Sequence, residues 1–272
     1  MPPIVSVHIQ GGLGNQLFQI AAAYAYAKQN GGTFQILYKR NNGNRALYWD
    51  TILHRIQPYL VESLPSTLVR WKETHPTMYR EIGSLPLHGI YLQEYLQTSK
   101  YYPTNRIKEE IKALFQPSAE LLTIIQDKYS NLLTFKDRVV VMHARRTDYV
   151  TYRDIHGPLD ASYYREAVQR IVTRISEPIF LLCGDDPAYW KEIQDAIPDV
   201  FKHEHHILQH ETDIHTFALL QQYNHFIMSN STFIWWCVWL SSAQNVIVPS
   251  KWFGPAGPKE YEDIYEPTWE RI

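Results

Sequence analysis

The strongest constraint on this chain is a recurring pattern: a short apolar run stops at a polar or glycine turn and passes into a helical stretch. Residues 138–143, Arg-Val-Val-Val-Met-His, are the clearest case, being short, β-branched and closed by polar residues. Continuous apolar runs of this length suit strands covered on both faces. Asp160 then caps a helix whose apolar positions, Tyr164, Ala167, Val168, Ile171, Val172 and Ile175, form one stripe at 3.6-residue spacing. Residues 178–183 repeat the strand signal, and Asp186-Pro187 reads as an acidic N-cap with proline at the first helical position. Residues 226–228 and 245–248 are further short strands, with a helix from about 232 to 241 between them. Nearer the N-terminus, residues 4–10 form a β-rich run bounded by Gly11-Gly12 and followed by a helical stretch at 15–29; residues 33–38 are a second strand. Residues 105–115 and 119–133 read as helices, and 41–103 as a mixture of short pieces with scattered proline and aromatics. Strand–helix alternation predicts an α/β protein with parallel sheets. The chain restarts with a strong central strand near Lys136, which predicts two Rossmann-like domains, 1–135 and 136–272. There is no internal repeat and no low-complexity tract.

Composition narrows the functional classes. At 272 residues the chain is long enough for two cores, and its net charge of −2 has no block of like charge to suit nucleic acid or an acidic membrane. The most apolar stretch, 226–240, is interrupted by Ser229, Asn230, Ser231 and Thr232, so no membrane span is expected. The first residues lack a basic region and an apolar core, which predicts a soluble, cytoplasmic protein without a signal peptide. Cys183 and Cys237 each lie in an apolar stretch and are expected to be reduced. The 8 Trp and 19 Tyr suit carbohydrate as well as an aromatic core. Nothing in the sequence sets an oligomeric state.

Three turns carry residues with chemistry. Gly11-Gly12-Leu13-Gly14-Asn15-Gln16 lies between a strand and a helix, where glycines allow close backbone approach and the helix start offers free N–H groups to a phosphate or sugar. It also suits a tight turn with no ligand. A dinucleotide fingerprint from Gly12 would need glycine where Leu17 stands, and a P-loop would need Gly-Lys-Ser/Thr. His143-Ala144-Arg145-Arg146-Thr147-Asp148-Tyr149 follows the strongest strand. Paired arginines at a strand end suit phosphate oxygens, and a diphosphate leaving group needs such charge as its bond breaks. His143 is expected to bond a ribose or phosphate, and Asp148 to orient an arginine or accept a proton. A surface ion pair between Arg146 and Asp148 is the alternative. Ser229-Asn230-Ser231-Thr232 offers hydroxyls and N–H groups at another helix start, with plain capping as the simpler role. After residue 183, Asp186 is expected to cap and Asp185 to reach a ribose or base. The pair lacks the Asp-x-Asp spacing of a metal site, so no metal is expected. His203, His205, His206, His210 and His215 fit no His-Glu-x-x-His spacing and read as a solvated connection.

Taken together, Gly11 to Gln19, His143-Ala144-Arg145-Arg146-Thr147-Asp148, Asn230-Ser231-Thr232-Phe233 with Trp235-Trp236, and Val248 to Phe253 closely resemble glycosyltransferase family 11, the α-1,2-fucosyltransferases. The resemblance implies a GT-B-like fold with two Rossmann-like domains facing a cleft, GDP-L-fucose as donor, inversion at the anomeric carbon and no metal. It implies the donor on the C-terminal domain and an oligosaccharide acceptor, ending in β-galactose with a reactive 2-hydroxyl, on the N-terminal one. Carried onto this sequence, Arg145 contacts the β-phosphate. A carboxylate would deprotonate the acceptor, with Asp148 the candidate and Asp154 the runner-up, although a leaving group as good as GDP needs no strong base. Asn15 positions donor or acceptor. Donor-binding residues are then Gly12, Gly14, Asn15, Gln16, His143, Arg145, Arg146, Asp185, Asp186, Ser231 and Thr232. The family's guanine-reading acid is replaced by Thr216, with Asp213 one helical turn earlier. A related GDP-deoxyhexose transferase and a non-catalytic carbohydrate- or nucleotide-binding protein are the alternatives.

Overall fold

The computed structural model describes residues 1–272 and divides into two compact units, Met1–Ser118 with Glu260–Glu266, and Ala119–Lys259 with Pro267–Ile272. In the first unit, β1 (Ile4–Val7) leads through the glycine turn into α1 (Leu13–Gln29), followed by β2 (Thr33–Phe34), β3 (Ile36–Leu37), β4 (Leu60–Val61), β5 (Val69–Lys72), β6 (Ile90–Gln93) and α2 (Asn105–Phe115). Its sheet is parallel in the order β2-β1-β6-β5, with β3 and β4 a separate parallel pair. Helix α1 is buried from Leu13 to Ala27 except at Asn15. Small alanines at 21, 22, 23, 25 and 27 let the chain on either side come close. The strand expected at 33–38 breaks at Gln35, so β2 pairs with β1 and β3 with β4. The stretch expected to be irregular, 41–103, supplies β4, β5 and β6. Strand β5 is exposed at three of its positions, so it carries no apolar signal.

The second unit begins with α3 (Ala119–Thr134), then β7 (Val139–Ala144), α4 (Thr147–Thr151), α5 (Arg153–His156), α6 (Ala161–Ile171), β8 (Ile179–Gly184), α7 (Tyr189–Glu192), α8 (Pro198–Phe201), β9 (His205–Ile207), α9 (Asp213–Leu220), β10 (His225–Ile227), α10 (Thr232–Leu240), β11 (Asn245–Val248) and β12 (Glu270–Arg271). All six strands are parallel, in the order β12-β11-β10-β7-β8-β9. Both β7 and β10 are buried throughout, the physical origin of their continuous apolar sequence. Alternate residues of β7, Val140, Met142 and Ala144, pack into one core with Phe180, Leu182, Trp190 and the α6 stripe Tyr164, Ala167, Val168 and Ile171. Asp160 caps α6, accepting from the N–H groups of Ser162 at 2.9 Å and Tyr163 at 3.4 Å. Helix α10 is apolar all round because Trp235, Trp236 and Cys237 are all fully buried.

Three expectations change. The division between the units precedes α3, because α3 packs on α9 of the second unit. Asp186 caps no helix: α7 starts later, after Ala188, and no side chain caps it. The histidine-rich connection contains the edge strand β9, whose exposed residues hide it from any apolar pattern.

The chain leaves β7 for β8 on one side and later returns to β10 on the other, so the β7–β10 boundary is a topological switch point. In open parallel sheets ligands meet the carboxyl ends of strands at such a point. Gly184 closes β8 there with φ +152°, and a Cβ on it would lie 2.2 Å from the Ala144 carbonyl oxygen. Gly184→Ala is expected to cost at least about 2 kcal/mol in chemical denaturation with an unchanged m-value. Gly12→Ala, with open space around it, should stay within about 0.5 kcal/mol.

Candidate active site

Three strand ends of the second unit build the site. Asp185, one residue past β8, accepts hydrogen bonds from the N–H of Arg146 at 2.7 Å and of Thr147 at 3.2 Å, and a further bond from the Thr147 hydroxyl. It also pairs with Arg145 Nε at 3.2 Å. Asp148, in the first turn of α4, grips the same guanidinium in a fork: Nε donates to Oδ1 at 2.9 Å and Nη2 to Oδ2 at 3.0 Å. Burial works against the charge of Arg145, but the Asp148 hydrogen bonds and the two carboxylates outweigh it and raise its pKa. The two acids use one edge of the guanidinium. Nη1 makes neither contact, so a planar cation is held rigidly with donors remaining for an anion.

The neighbouring arginine does something else. Arg146 lies over the Tyr189 ring at 4.1 Å and donates from Nη1 to the Leu159 carbonyl at 3.1 Å, which ties α6 and α7 to the sheet edge. The pair expected to act together is therefore split. Asp185, expected to reach a ribose or base, is occupied by the backbone of 146–147.

His143 points to the face opposite the α6 core. It is 4% exposed, its Nδ1 lies 2.8 Å from the Ser229 hydroxyl, and its ring stacks on Phe233 of α10 at 6.1 Å. The Tyr164 hydroxyl donates to its carbonyl. Burial pushes its imidazole down to about 4, so the ring is neutral and serves as a strut where a ligand contact was expected. Asn230 is a strut as well: its Nδ2 donates to the carbonyls of His156 at 2.7 Å and Trp252 at 2.8 Å, while its own carbonyl accepts from Tyr149. Ser231 caps α10 by accepting from the Phe233 N–H, and Thr232 is the first helical residue. The helix start at Ser231 and Thr232 thus belongs to the same sheet edge as Arg145, one strand away.

Beside Asp185 a cavity of about 530 Å³ opens between the ends of β8 and β9, lined by Gly184, Asp185, Lys191, Leu208, Glu211 and Thr216. Thr216, the position counted back from Asn230, is part of this lining. The acidic residue there is Glu211, missed in the sequence because its partners come from another helix and a later turn. Its carboxylate is bonded by Lys128 of α3 and Tyr129, and lies 3.1 Å from His215 Nδ1. Burial raises its pKa, and these donors more than reverse that.

In the first unit, Gly11 has φ +77°, and a Cβ on it would lie 2.5 Å from Asn15 Nδ2. Gly12 is the N-cap position of α1, and Gly14 lies buried in its first turn. Gln16 is buried and holds the turn from inside, donating to the carbonyls of Gly11 at 3.0 Å and Ala46 at 2.7 Å. Asn15, in the same turn, accepts from Gln97 Nε2 at its Oδ1 at 2.8 Å.

The family model for glycosyl transferase family 11 matches residues 55–272. The chain belongs to this family. The match begins downstream of the glycine turn and contains the whole Arg145 site. Among curated relatives, the O-antigen biosynthesis glycosyltransferase WbnK of Escherichia coli is 25% identical over 90% of this chain and 93% of its own. The Escherichia coli alpha-1,2-colitosyltransferase is 22% identical over 99% of both chains. The galactoside alpha-(1,2)-fucosyltransferase 2 of Hylobates lar is 26% identical over 89% of this chain and 70% of its own. The solved structure of NodZ alpha-1,6-fucosyltransferase soaked with GDP-fucose superposes with a TM-score of 0.54 at 12% identity, covering 89% of this chain and 93% of that one. The fold is the GT-B-like α/β fold of fucosyltransferases. No helix is long and apolar enough to cross a membrane.

A neutral buried His143 has a stability consequence. Its folded pKa, about 4, lies below the unfolded 6.5, so the unfolded chain takes up the proton first. Its contribution is present above about pH 6.5 and is lost as pH falls toward 4. Unfolding free energies measured across this window should fall less steeply in His143→Asn than in the parent. Glu73, whose carboxyl burial raises to about 7 from 4.5, runs the other way, losing stability as pH rises, and is common to both proteins.

Proposed function

We propose that this family 11 glycosyltransferase moves L-fucose from GDP-L-fucose to the 2-hydroxyl of a terminal β-galactoside, with inversion and without a metal. The observation that carries the reading is Arg145, held by two carboxylates at a switch point with guanidinium donors to spare. The acceptor oxygen attacks the anomeric carbon from the face opposite GDP. As the C–O bond to the diphosphate breaks, negative charge grows on the β-phosphate, and a pre-aligned cation meets it without reorganising. The N-terminus of α10 at Ser231 and Thr232 adds N–H groups and a positive dipole end at the same edge.

Asp148 serves this step by orienting Arg145. With both its oxygens on the guanidinium it is a weak base, and the acceptor proton passes to another group, Asp154 or solvent, late in a step driven by departure of GDP. The cavity beside Asp185, with Thr216 and Glu211 in its wall, is the size and chemistry for the nucleoside of the donor. Asn15 at the glycine turn contacts the sugar being transferred or its acceptor. In this reading the GDP-binding residues lie in the second unit and the acceptor in the first, with an oligosaccharide as the physiological partner.

The second reading is transfer of another GDP-linked deoxyhexose, favoured by the 99% coverage shared with a colitosyltransferase. Incubation with GDP-fucose, GDP-colitose and GDP-mannose over a panel of β-galactosides, followed by NMR linkage analysis, separates the two. Fucose on galactose O2 is the expected product; transfer of colitose alone selects the second reading, and GDP binding without any transfer would sink both. Arg145→Ala should lower kcat by roughly 10²–10³. Arg145→Lys should fall nearly as far, since an ammonium cannot span two carboxylates and a phosphate in one plane. A variant at position 145 with near-parental turnover would refute the assignment.

A further inference from the structure

Two short helices carry acids of the site, and neither can hold itself in place. Helices α4 and α5, of five and four residues, contain no fully buried residue, and isolated helices below about 12 residues are marginal in water. Asp148 lies on the first and Asp154 on the second. Their position is therefore set from outside, and the hydrogen bonds show from where. The carbonyls of Asp154 and Ile155 accept from the N–H groups of Ala256 at 2.6 Å and Gly254 at 2.9 Å. Those of His156 and Gly157 accept from Asn230 Nδ2 at 2.7 Å and 3.2 Å, and the same nitrogen donates to the Trp252 carbonyl. Carbonyls at the end of a helix have no partner within it. Here Asn230 and residues 252–257 satisfy them in succession.

The contact is backbone on backbone. A Cβ on Gly254 would lie 2.5 Å from the Asp154 carbonyl oxygen and 2.6 Å from that of Arg153; one on Gly257 would lie 2.4 Å from that of Ile155. Gly157, which ends α5 at φ +60°, faces Gly254 in turn: its own Cβ would stand 2.9 Å from the Gly254 nitrogen. From α5 the contact passes to the cation. The His156 ring stacks on Tyr149 of α4 at 4.6 Å, the Tyr149 hydroxyl donates to the Asn230 carbonyl at 2.9 Å, and Arg145 lies over the Tyr149 ring at 5.8 Å. The guanidinium thus meets α4 twice, at Tyr149 and at Asp148.

We propose that Gly254 is a positioning residue: by letting residues 252–257 close onto the α5 carbonyls it fixes α4, and with it the plane of the Arg145 guanidinium. The inference rests on the transferase reading above and extends it to a segment that touches no phosphate. It gives a role to the chain that follows the Val248–Phe253 stretch, to which that reading assigns none.

Gly254→Ala sets a methyl group against the Arg153 and Asp154 carbonyls, so α5 must move away. The apolar core contains no residue of α4 or α5, and the melting temperature should stay close to parental. The kcat of Gly254→Ala should fall roughly tenfold or more at unchanged acceptor KM, by misplacement of one cation. Tyr149→Phe, which removes a single hydrogen bond, should lose less. In an Arg145→Ala background the Gly254→Ala loss should vanish, because the glycine acts through that guanidinium. The ¹⁵Nε resonance of Arg145, assigned with Arg145→Lys and recorded without nucleotide, gives a readout independent of turnover and should move in both variants. Parental kcat in Gly254→Ala, additive losses with Arg145→Ala, or an Arg145 resonance unmoved in both variants would overturn the proposal. If Gly254→Ala does not fold, Tyr149→Phe decides by the same resonance and the same dependence on Arg145. If the parent transfers no sugar while the resonance moves, the transferase reading fails and the positioning of Arg145 stands.

Discussion

One carboxylate organises the edge of the six-stranded sheet. Asp185 takes the N–H groups of Arg146 and Thr147, the Thr147 hydroxyl and a share of Arg145. Two consecutive peptide N–H groups leaving a buried strand have no ladder partner, and an unpaired buried N–H costs about as much as a lost hydrogen bond. Asp185 removes that cost, and Gly184 makes it reachable, because only a residue without Cβ lets the end of β8 lie against the Ala144 carbonyl. Once the backbone at 146–147 is fixed, α4 starts at Thr147 and places Asp148 under the guanidinium. At its partial exposure, 24% for the Arg145 side chain, the ion pair adds little stability. Its value is orientation: the two acids fix the plane of the guanidinium.

Adjacent residues are separated in role by the local backbone. Ala144 joins the α6 core while His143 turns to the α10 face, since successive side chains of a strand point to opposite faces. His143 is thereby sealed under Phe233 and becomes a neutral strut. Beyond the strand, Arg145 meets two acids and Arg146 an aromatic ring and a carbonyl. One guanidinium is absorbed into the scaffold and the other is presented. Asn230 and Ser231 divide in the same way, the first tying loops together and the second capping the helix.

These divisions mark the limit of what the sequence could reveal. Strands buried on both faces were legible because their environment demands apolar residues at every position, as in β7 and β8. Strands β5 and β9 were not, because edge positions in solvent accept Arg, Lys and His. The family motifs marked the ends of β7 and β10, and the parallel sheet brings Arg145, Asp185 and Ser231 to one edge. They could not assign which atom serves which partner, because those partners are set by tertiary contact. Glu211 meets a lysine 83 positions away, and Asn15 a glutamine 82 positions away. No local pattern encodes such pairs.

The same separation bears on how relatives within one family use different sugars. In the proposed function, Arg145, the α10 terminus and the cavity beside Asp185 address phosphate and nucleoside, which all GDP-sugars share. None of these contacts distinguishes one deoxyhexose from another. Fucose and colitose differ by a single hydroxyl, and an apolar pocket discriminates poorly at that level, whereas a buried donor or acceptor left without its hydroxyl discriminates by several powers of ten. Sugar choice therefore requires a polar side chain whose geometry is fixed before binding.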